Sequence, residues 1–168
     1  MLDVGGGSAA FDIELCRRYP DLTATVYELP TVAGIAAGKV KEAALPERID
    51  TVAGDFFAES LPGGYDTVLL SMILHDWAED RCRAILRKCW AALPGGGQVI
   101  ICELLVNDAR TGPPAAALMS LNMLIETEGR NYTPAEYTAW LGDLGFQDIR
   151  TIWFEAAGAN GAVIGRKP

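Results

Sequence analysis

The chain has 168 residues, half of them hydrophobic and 21% charged, with a mean hydropathy of +0.16. That is enough apolar material for one ordinary domain with its own core, and it excludes an intrinsically disordered chain. The 14 Lys and Arg against 22 Asp and Glu leave a net charge of −8 and a pI near 4.6. Such a surface repels phosphate backbones and anionic lipid, so a small molecule is the expected partner, not nucleic acid or membrane.

The pattern alternates strand and helix. Leu2-Asp3-Val4 is a short apolar strand running into Gly5-Gly6-Gly7. A helix is predicted from about Ala9 to Tyr19, with Phe11, Leu15 and Cys16 at helical spacing, until Pro20-Asp21 breaks it. Thr23 to Tyr27 is β-branched and strand-like, and Pro30 opens a second helix to about Ala44. Ile49 to Val52 is a third strand. Asp66 to Ile73, containing V-L-L-S-M-I, is the strongest buried-strand candidate. A helix over Asp80 to Leu93 ends at Pro94-Gly95-Gly96-Gly97, and Gln98 to Leu104 is a fifth strand. Ala115 to Ile125 reads as helix. Thr133-Pro134-Ala135-Glu136 opens another with a capping box, and Gly145 stops it. Ile149 to Phe154 and Ala162 to Ile164 form a closing antiparallel hairpin. The expected fold is therefore α/β, a doubly wound, mostly parallel sheet with a C-terminal antiparallel pair.

Four cysteines, Cys16, Cys82, Cys89 and Cys102, form no CxxC pair, and there is a single His. Reduced thiols, no metal site and a cytoplasmic location follow as expectations. No apolar run approaches the ~18 residues of a membrane span, and no basic-then-apolar signal pattern opens the chain.

In an open parallel sheet the ligand sits beyond the carboxyl ends of the strands, so the residues that follow each strand are the site candidates. After the first strand, Gly5 and Gly7 let backbone approach a ligand; a plain tight turn is the alternative. Gly5-x-Gly7-x-x-Ala10 also satisfies the dinucleotide fingerprint. After the second stands Glu28, 23 residues beyond Gly5, where an acidic side chain accepts hydrogen bonds from a ribose diol; a solvated Glu is the alternative. After the third, Asp55 beside Phe56 is placed to receive an adenine amino group and cover the ring, or to serve as a turn Asp with core phenylalanines. After the fourth comes Leu74-His75-Asp76-Trp77. His75 stands at the mouth of the presumed cleft, with a structural histidine as the alternative, while Asp76, with Glu79 three residues on, reads as a cap for the next helix. After the fifth, Glu103 comes near His75, because the fourth and fifth strands are neighbours; a simple strand-end charge is the alternative. A carboxylate there fixes the imidazole tautomer and raises its pKa.

L-D-V-G-G-G-S, V-Y-E-L-P, G-D-F-F, I-L-H-D-W, L-P-G-G-G, I-I-C-E and G-R-N-Y-T occur in that order across nearly the whole chain. In these motifs the chain resembles the catalytic domain of S-adenosylmethionine-dependent O-methyltransferases of the caffeic-acid, acetylserotonin and bacterial polyketide type. The resemblance implies a seven-stranded Rossmann-like sheet, and methyl transfer from S-adenosylmethionine to a hydroxyl of a small, aromatic acceptor. It places Gly5, Gly7, Glu28, Asp55, Phe56 and Ser71 at the cofactor. It makes His75 the general base with Glu103 beside it, and puts Asp76, Met123 and Asn131 on the acceptor side. Met119 and Met123, four apart on a helix, equally suit core packing. Three positions depart from the family pattern: Ala9 replaces the third glycine of the loop, Asn131 replaces a second carboxylate, and Ser71 replaces a lysine. The resemblance also implies an N-terminal helical dimerisation domain that is absent from residues 1–168, so a homodimer is expected only where that domain is present. The rival readings are a non-catalytic or truncated S-adenosylmethionine-binding module and a nicotinamide-dependent oxidoreductase.

Overall fold

The computed structural model describes residues 1–156 and 158–168. The elements run β1 (Leu2–Val4), α1 (Ala10–Arg18), β2 (Ala24–Glu28), α2 (Pro30–Glu42), β3 (Ile49–Ala53), β4 (Thr67–Ser71), α3 (Glu79–Ala92), β5 (Gln98–Glu103), α4 (Pro114–Glu126), α5 (Pro134–Asp143), β6 (Gln147–Trp153) and β7 (Gly161–Arg166). The strands form one seven-stranded sheet in the order β3-β2-β1-β4-β5-β7-β6. The pairings from β3 through β5 are parallel, and β7 runs antiparallel between β5 and β6. The α/β class, the parallel sheet and the antiparallel end are as the alternating pattern requires.

A strand covered on both faces must be apolar nearly throughout, and this is why Val68, Leu69 and Leu70 of β4 are buried in succession. One core layer gathers Leu2, Val4, Leu70, Val99 and Ile101 against Ile85 and Leu86 of α3 and Tyr137, Trp140 and Leu141 of α5. The opposite layer packs Val26 and Ile49 against Cys16 of α1 and Ala36 and Val40 of α2. Alternation along β1 sends Leu2 and Val4 into the first layer and Asp3 towards α1.

The capping box of α5 is formed as its sequence demands: Thr133 Oγ1 accepts from the Glu136 amide at 3.2 Å, and Glu136 Oε2 accepts from the Thr133 amide at 2.9 Å. Elsewhere local pattern is overruled. Phe11 faces outward at 52% exposure, because α1 meets the sheet through Asp12 and Cys16, four apart. β4 ends at Ser71, since Met72 takes a left-handed conformation (φ 58°) and turns the chain away from the sheet. A single 3-10 turn, Leu74–Asp76, follows, so Asp76 does not cap α3; the N-cap is Ala78, with no side-chain bond.

Candidate active site

The parallel strands end at one edge, and the segments leaving β1 to β4 close around a cavity of about 290 Å³ lined by Gly5, Glu28, Leu29, Asp55, Phe56, Phe57, Ile73 and Trp77. Gly5 has φ +75°, and any side chain there would run into Ile73, so the turn needs glycine on two counts. Glu28 Oε2 accepts from the Leu29 amide at 2.7 Å and Oε1 from the Gly7 amide at 3.3 Å, which ties the second strand's acid to the first strand's turn. Asp55 Oδ1 accepts from the Phe57 amide at 2.7 Å. Phe56, Phe57 and Trp77 pack edge to face, the Phe57 and Trp77 centroids 4.6 Å apart, and the Arg81 guanidinium lies 4.1 Å from the Phe57 ring.

Beside this cavity the 3-10 turn is held from across the sheet. Glu103 is 1% exposed. Its Oε1 accepts from the amides of Ile73 (3.1 Å) and Leu74 (3.0 Å), and its Oε2 lies 2.6 Å from His75 Nδ1. With a proton on Nδ1 donated to the carboxylate, Nε2 is left with its lone pair. That nitrogen lies 3.4 Å from Asp76 Oδ1. Burial disfavours the imidazolium, but the Glu103 hydrogen bond and charge and the Asp76 charge outweigh it, so the His75 pKa is raised above its ordinary 6.5. Burial also raises the Asp76 carboxyl, against the lowering pull of His75. Cys82, beneath the turn, donates its thiol to the Leu74 carbonyl at 3.1 Å, and burial pushes it up to about 12, which removes it as a nucleophile at neutral pH.

The segment after α4 passes directly behind the turn. The Glu128 amide donates to Asp76 O at 3.3 Å, and Tyr132 Oη donates to Trp77 O at 2.7 Å. A Cβ at Gly129 would collide with the His75 carbonyl. Asn131 is buried, yet its Nδ2 donates to the Leu104 carbonyl at 2.6 Å and its Oδ1 has no partner. It lines a separate cavity of about 200 Å³ with Ser120, Arg110 and Arg130, and no hydrogen bond joins it to His75 among the described residues. Met123 is buried on α4 at 8% exposure.

Of the sequence candidates, Gly5, Glu28, Asp55 and Phe56 share the first cavity, and His75, Glu103 and Asp76 form the ionisable cluster beside it. Gly7 meets that cavity only through Glu28, and Ser71, at the end of β4 opposite Cys102, does not line it. Leu29, Phe57, Ile73 and Trp77 complete the lining. Each lies within one of the motifs V-Y-E-L-P, G-D-F-F and I-L-H-D-W, and that membership is the signal the sequence offers.

A doubly wound sheet with a nucleoside-sized cavity at its carboxyl edge and a carboxylate-braced histidine beside it defines a class of cofactor-dependent transferases and oxidoreductases. Comparison with known proteins narrows the class. The family profile described as the O-methyltransferase domain matches residues 1–147, and the chain belongs to that family. It is 56% identical over 167 residues to a 3-hydroxy-5-methyl-1-naphthoate 3-O-methyltransferase of Streptomyces sahachiroi, covering 99% of this chain and 48% of the relative. It is 40% identical to the acetylserotonin O-methyltransferase of Gallus gallus, covering 99% and 47%. The crystal structure of human N-acetylserotonin methyltransferase in complex with SAM superposes with a TM-score of 0.89 at 35% identity, over 99% of this chain and 47% of that one. The chain thus spans about half the length of these relatives. Among the described residues no helix is long and apolar enough to cross a membrane.

Proposed function

We propose that this chain is the S-adenosylmethionine-binding catalytic domain, residues 1–168, of an O-methyltransferase that methylates a hydroxyl of a small aromatic acceptor. Family membership selects this reading over nicotinamide chemistry, which rested on the glycine spacing and on Glu28. The residues around the Gly5–Trp77 cavity fit the cofactor: a glycine turn that admits no side chain, Glu28 for a ribose diol, and Asp55 with Phe56 for an adenine amino group and ring. When bound, S-adenosylmethionine supplies an electrophilic methyl group.

The observation that carries the reading is the 2.6 Å contact between Glu103 and His75 Nδ1. A phenol has a pKa near ~10 and is protonated at neutral pH. His75 Nε2 accepts that proton, and Glu103 holds the ring in the required tautomer and stabilises the imidazolium, an effect worth typically ~10²–10⁴-fold. Asp76 Oδ1, 3.4 Å from Nε2, lies beside the proton's destination, and Met123 and Asn131 are assigned to the acceptor side. The aromatic acceptor is supported by the relatives, one of which is named for a hydroxynaphthoate. Homodimerisation is assigned to the helical N-terminal domain that the resemblance implies. The cytoplasm is the proposed location, supported by four unbridged thiols.

A second reading, a cofactor-binding module without turnover, is favoured by one observation: Asn131 engages the Leu104 carbonyl rather than His75. Calorimetry with S-adenosylhomocysteine, beside methyl transfer to a panel of phenols and hydroxynaphthoates, separates the two. The expected result is that His75→Gln binds the cofactor product as the unaltered chain does and loses turnover by orders of magnitude. Equal turnover in His75→Gln removes the base from the mechanism, and binding without any turnover in the unaltered chain supports the module.

A further inference from the structure

Among the described residues, three cationic side chains spend their hydrogens on backbone carbonyls instead of carboxylates. Arg48 donates to the carbonyls of Cys16, Tyr19 and Leu22, at the foot of α1. Lys167 donates to those of Trp90 and Leu93, at the end of α3. Both stitch the amino-terminal side of the sheet, away from the cavity. Lys88 is the exception. From the half-buried face of α3 its Nζ donates to the carbonyls of Phe56 at 2.6 Å, Phe57 at 2.9 Å and Glu59 at 2.6 Å.

The chain leaves β3 at Ala53, and beyond it the carbonyls of residues 56, 57 and 59 have no strand partner. Within this segment the remaining bonds are local: the Glu59 amide to Asp55 O, the Phe57 amide to Asp55 Oδ1 and the Asp55 amide to Glu59 Oε1. Those bonds shape the turn without anchoring it to the domain. An ammonium has three hydrogens on one compact centre, and here three carbonyls converge on that centre, a match that a planar guanidinium fork does not offer. Two of the three residues so gripped, Phe56 and Phe57, line the cavity. The same helix reaches them a second time through Arg81, stacked on Phe57.

We propose that Lys88 is a positioning residue for the cofactor: its ammonium fixes the Asp55–Phe57 wall to α3, so that the carboxylate and ring that receive the adenine are in place before binding. The proposal rests on reading that cavity as the cofactor site. A pre-set wall spares the ordering that binding would otherwise require.

The test uses Lys88→Met, Lys88→Gln and, as a clamp of the same kind on the far side, Lys167→Met. S-adenosylhomocysteine affinity is measured by calorimetry, and amide hydrogen exchange is followed in the ligand-free proteins. Both Lys88 variants are expected to weaken binding by about ten-fold or more, as befits the loss of charge-assisted bonds to a binding wall. Faster exchange should be confined to residues 55–60. Lys167→Met is expected to exchange faster near residues 90–97 and to bind within about two-fold of the unaltered chain. If Lys88→Met does not fold, Lys88→Gln, which keeps two donors, carries the same comparison. Binding by either Lys88 variant equal to that of the unaltered chain overturns the proposal, as does unchanged exchange at 55–60. Failure of the unaltered chain to bind S-adenosylhomocysteine overturns the reading of the cavity instead.

Discussion

Glu103 and the pair Asp3 and Asp12 are all sealed from solvent, at 1%, 0% and 0% exposure, yet their surroundings are opposite. On Glu103 three donors converge, two amides and an imidazole N–H, the donor set a buried anion needs. Among the described residues no other part of the fold donates to the four oxygens of Asp3 and Asp12, and the two side chains face one another between β1 and α1. Burial first, then the Asp12 charge and contact, push the Asp3 carboxyl well up, and burial raises Asp12 too. Both carboxyls are thereby held to their protons more firmly than free carboxyls are. Burial alone therefore does not make a carboxylate useful to chemistry. The one that meets donors can lend its charge to His75, whereas burial works against the charge of the pair.

The sharpest way to break this comparison is Glu103→Gln. The amide cannot serve both backbone N–H groups and the imidazole as the carboxylate does, so turnover is expected to fall by about 10²–10³-fold. The acidic limb of the pH–rate profile should move to lower pH as His75 loses its largest raising influence. An unchanged profile would detach Glu103 from the base. Next in size is Asp12→Asn, which supplies Asp3 with a donor. A carboxyl whose folded pKa is raised makes the folded state the stronger proton binder. Stability then falls as pH rises from the ordinary value of 3.8 through the raised folded value. Asp12→Asn is expected to stabilise by about 1–2 kcal/mol at pH 8 and by less at pH 5, read from denaturant midpoints. A uniform gain at both pH values would refute the raised carboxyls. The His75 contribution runs in the same direction with pH: its raised folded pKa stabilises fully below 6.5 and is lost as pH climbs through the folded value.

Smaller effects refine the contrast. Asp76→Asn removes a minor raising charge from His75, so its acidic limb should shift to lower pH by less than in Glu103→Gln, with turnover on the plateau down less than about ten-fold. Smallest is Ala9→Gly. Ala9 sits at φ 64° with its methyl fully buried. Relief of the left-handed strain and loss of the methyl contact oppose each other, and the net change in unfolding free energy should stay within about 1 kcal/mol.

The parallel sheet and the convergence of Gly5, Glu28, Asp55 and Phe56 were legible in sequence because they depend on short-range patterns and on one topological rule, that strand ends share an edge. Departures arose wherever a distant residue decided. Asp76 has the spacing of a helix cap, but Glu103, far along the chain, grips the amides of Ile73 and Leu74 and pulls the segment into a 3-10 turn instead. The insertion of β7 between β5 and β6 is a choice of partner that no local window records. Phe11 obeys helical spacing yet lies on the outer face, since the helix is seated by Asp12, a residue that hydrophobic pattern counts as polar. Lys88 left no signal, because its partners are carbonyls, which every residue has.

Gly129 has no room for a side chain behind the His75 carbonyl, and Glu128 and Tyr132 are tied to Asp76 and Trp77. The link between α4 and α5 is thus a splint for the imidazole on one side and for the tryptophan on the other. Inserting or deleting a residue there cannot be absorbed locally without dragging one of the two rings out of station. The length of the link is therefore fixed by what it touches at both ends, while the exposed side chains of α4 are free to vary without disturbing it.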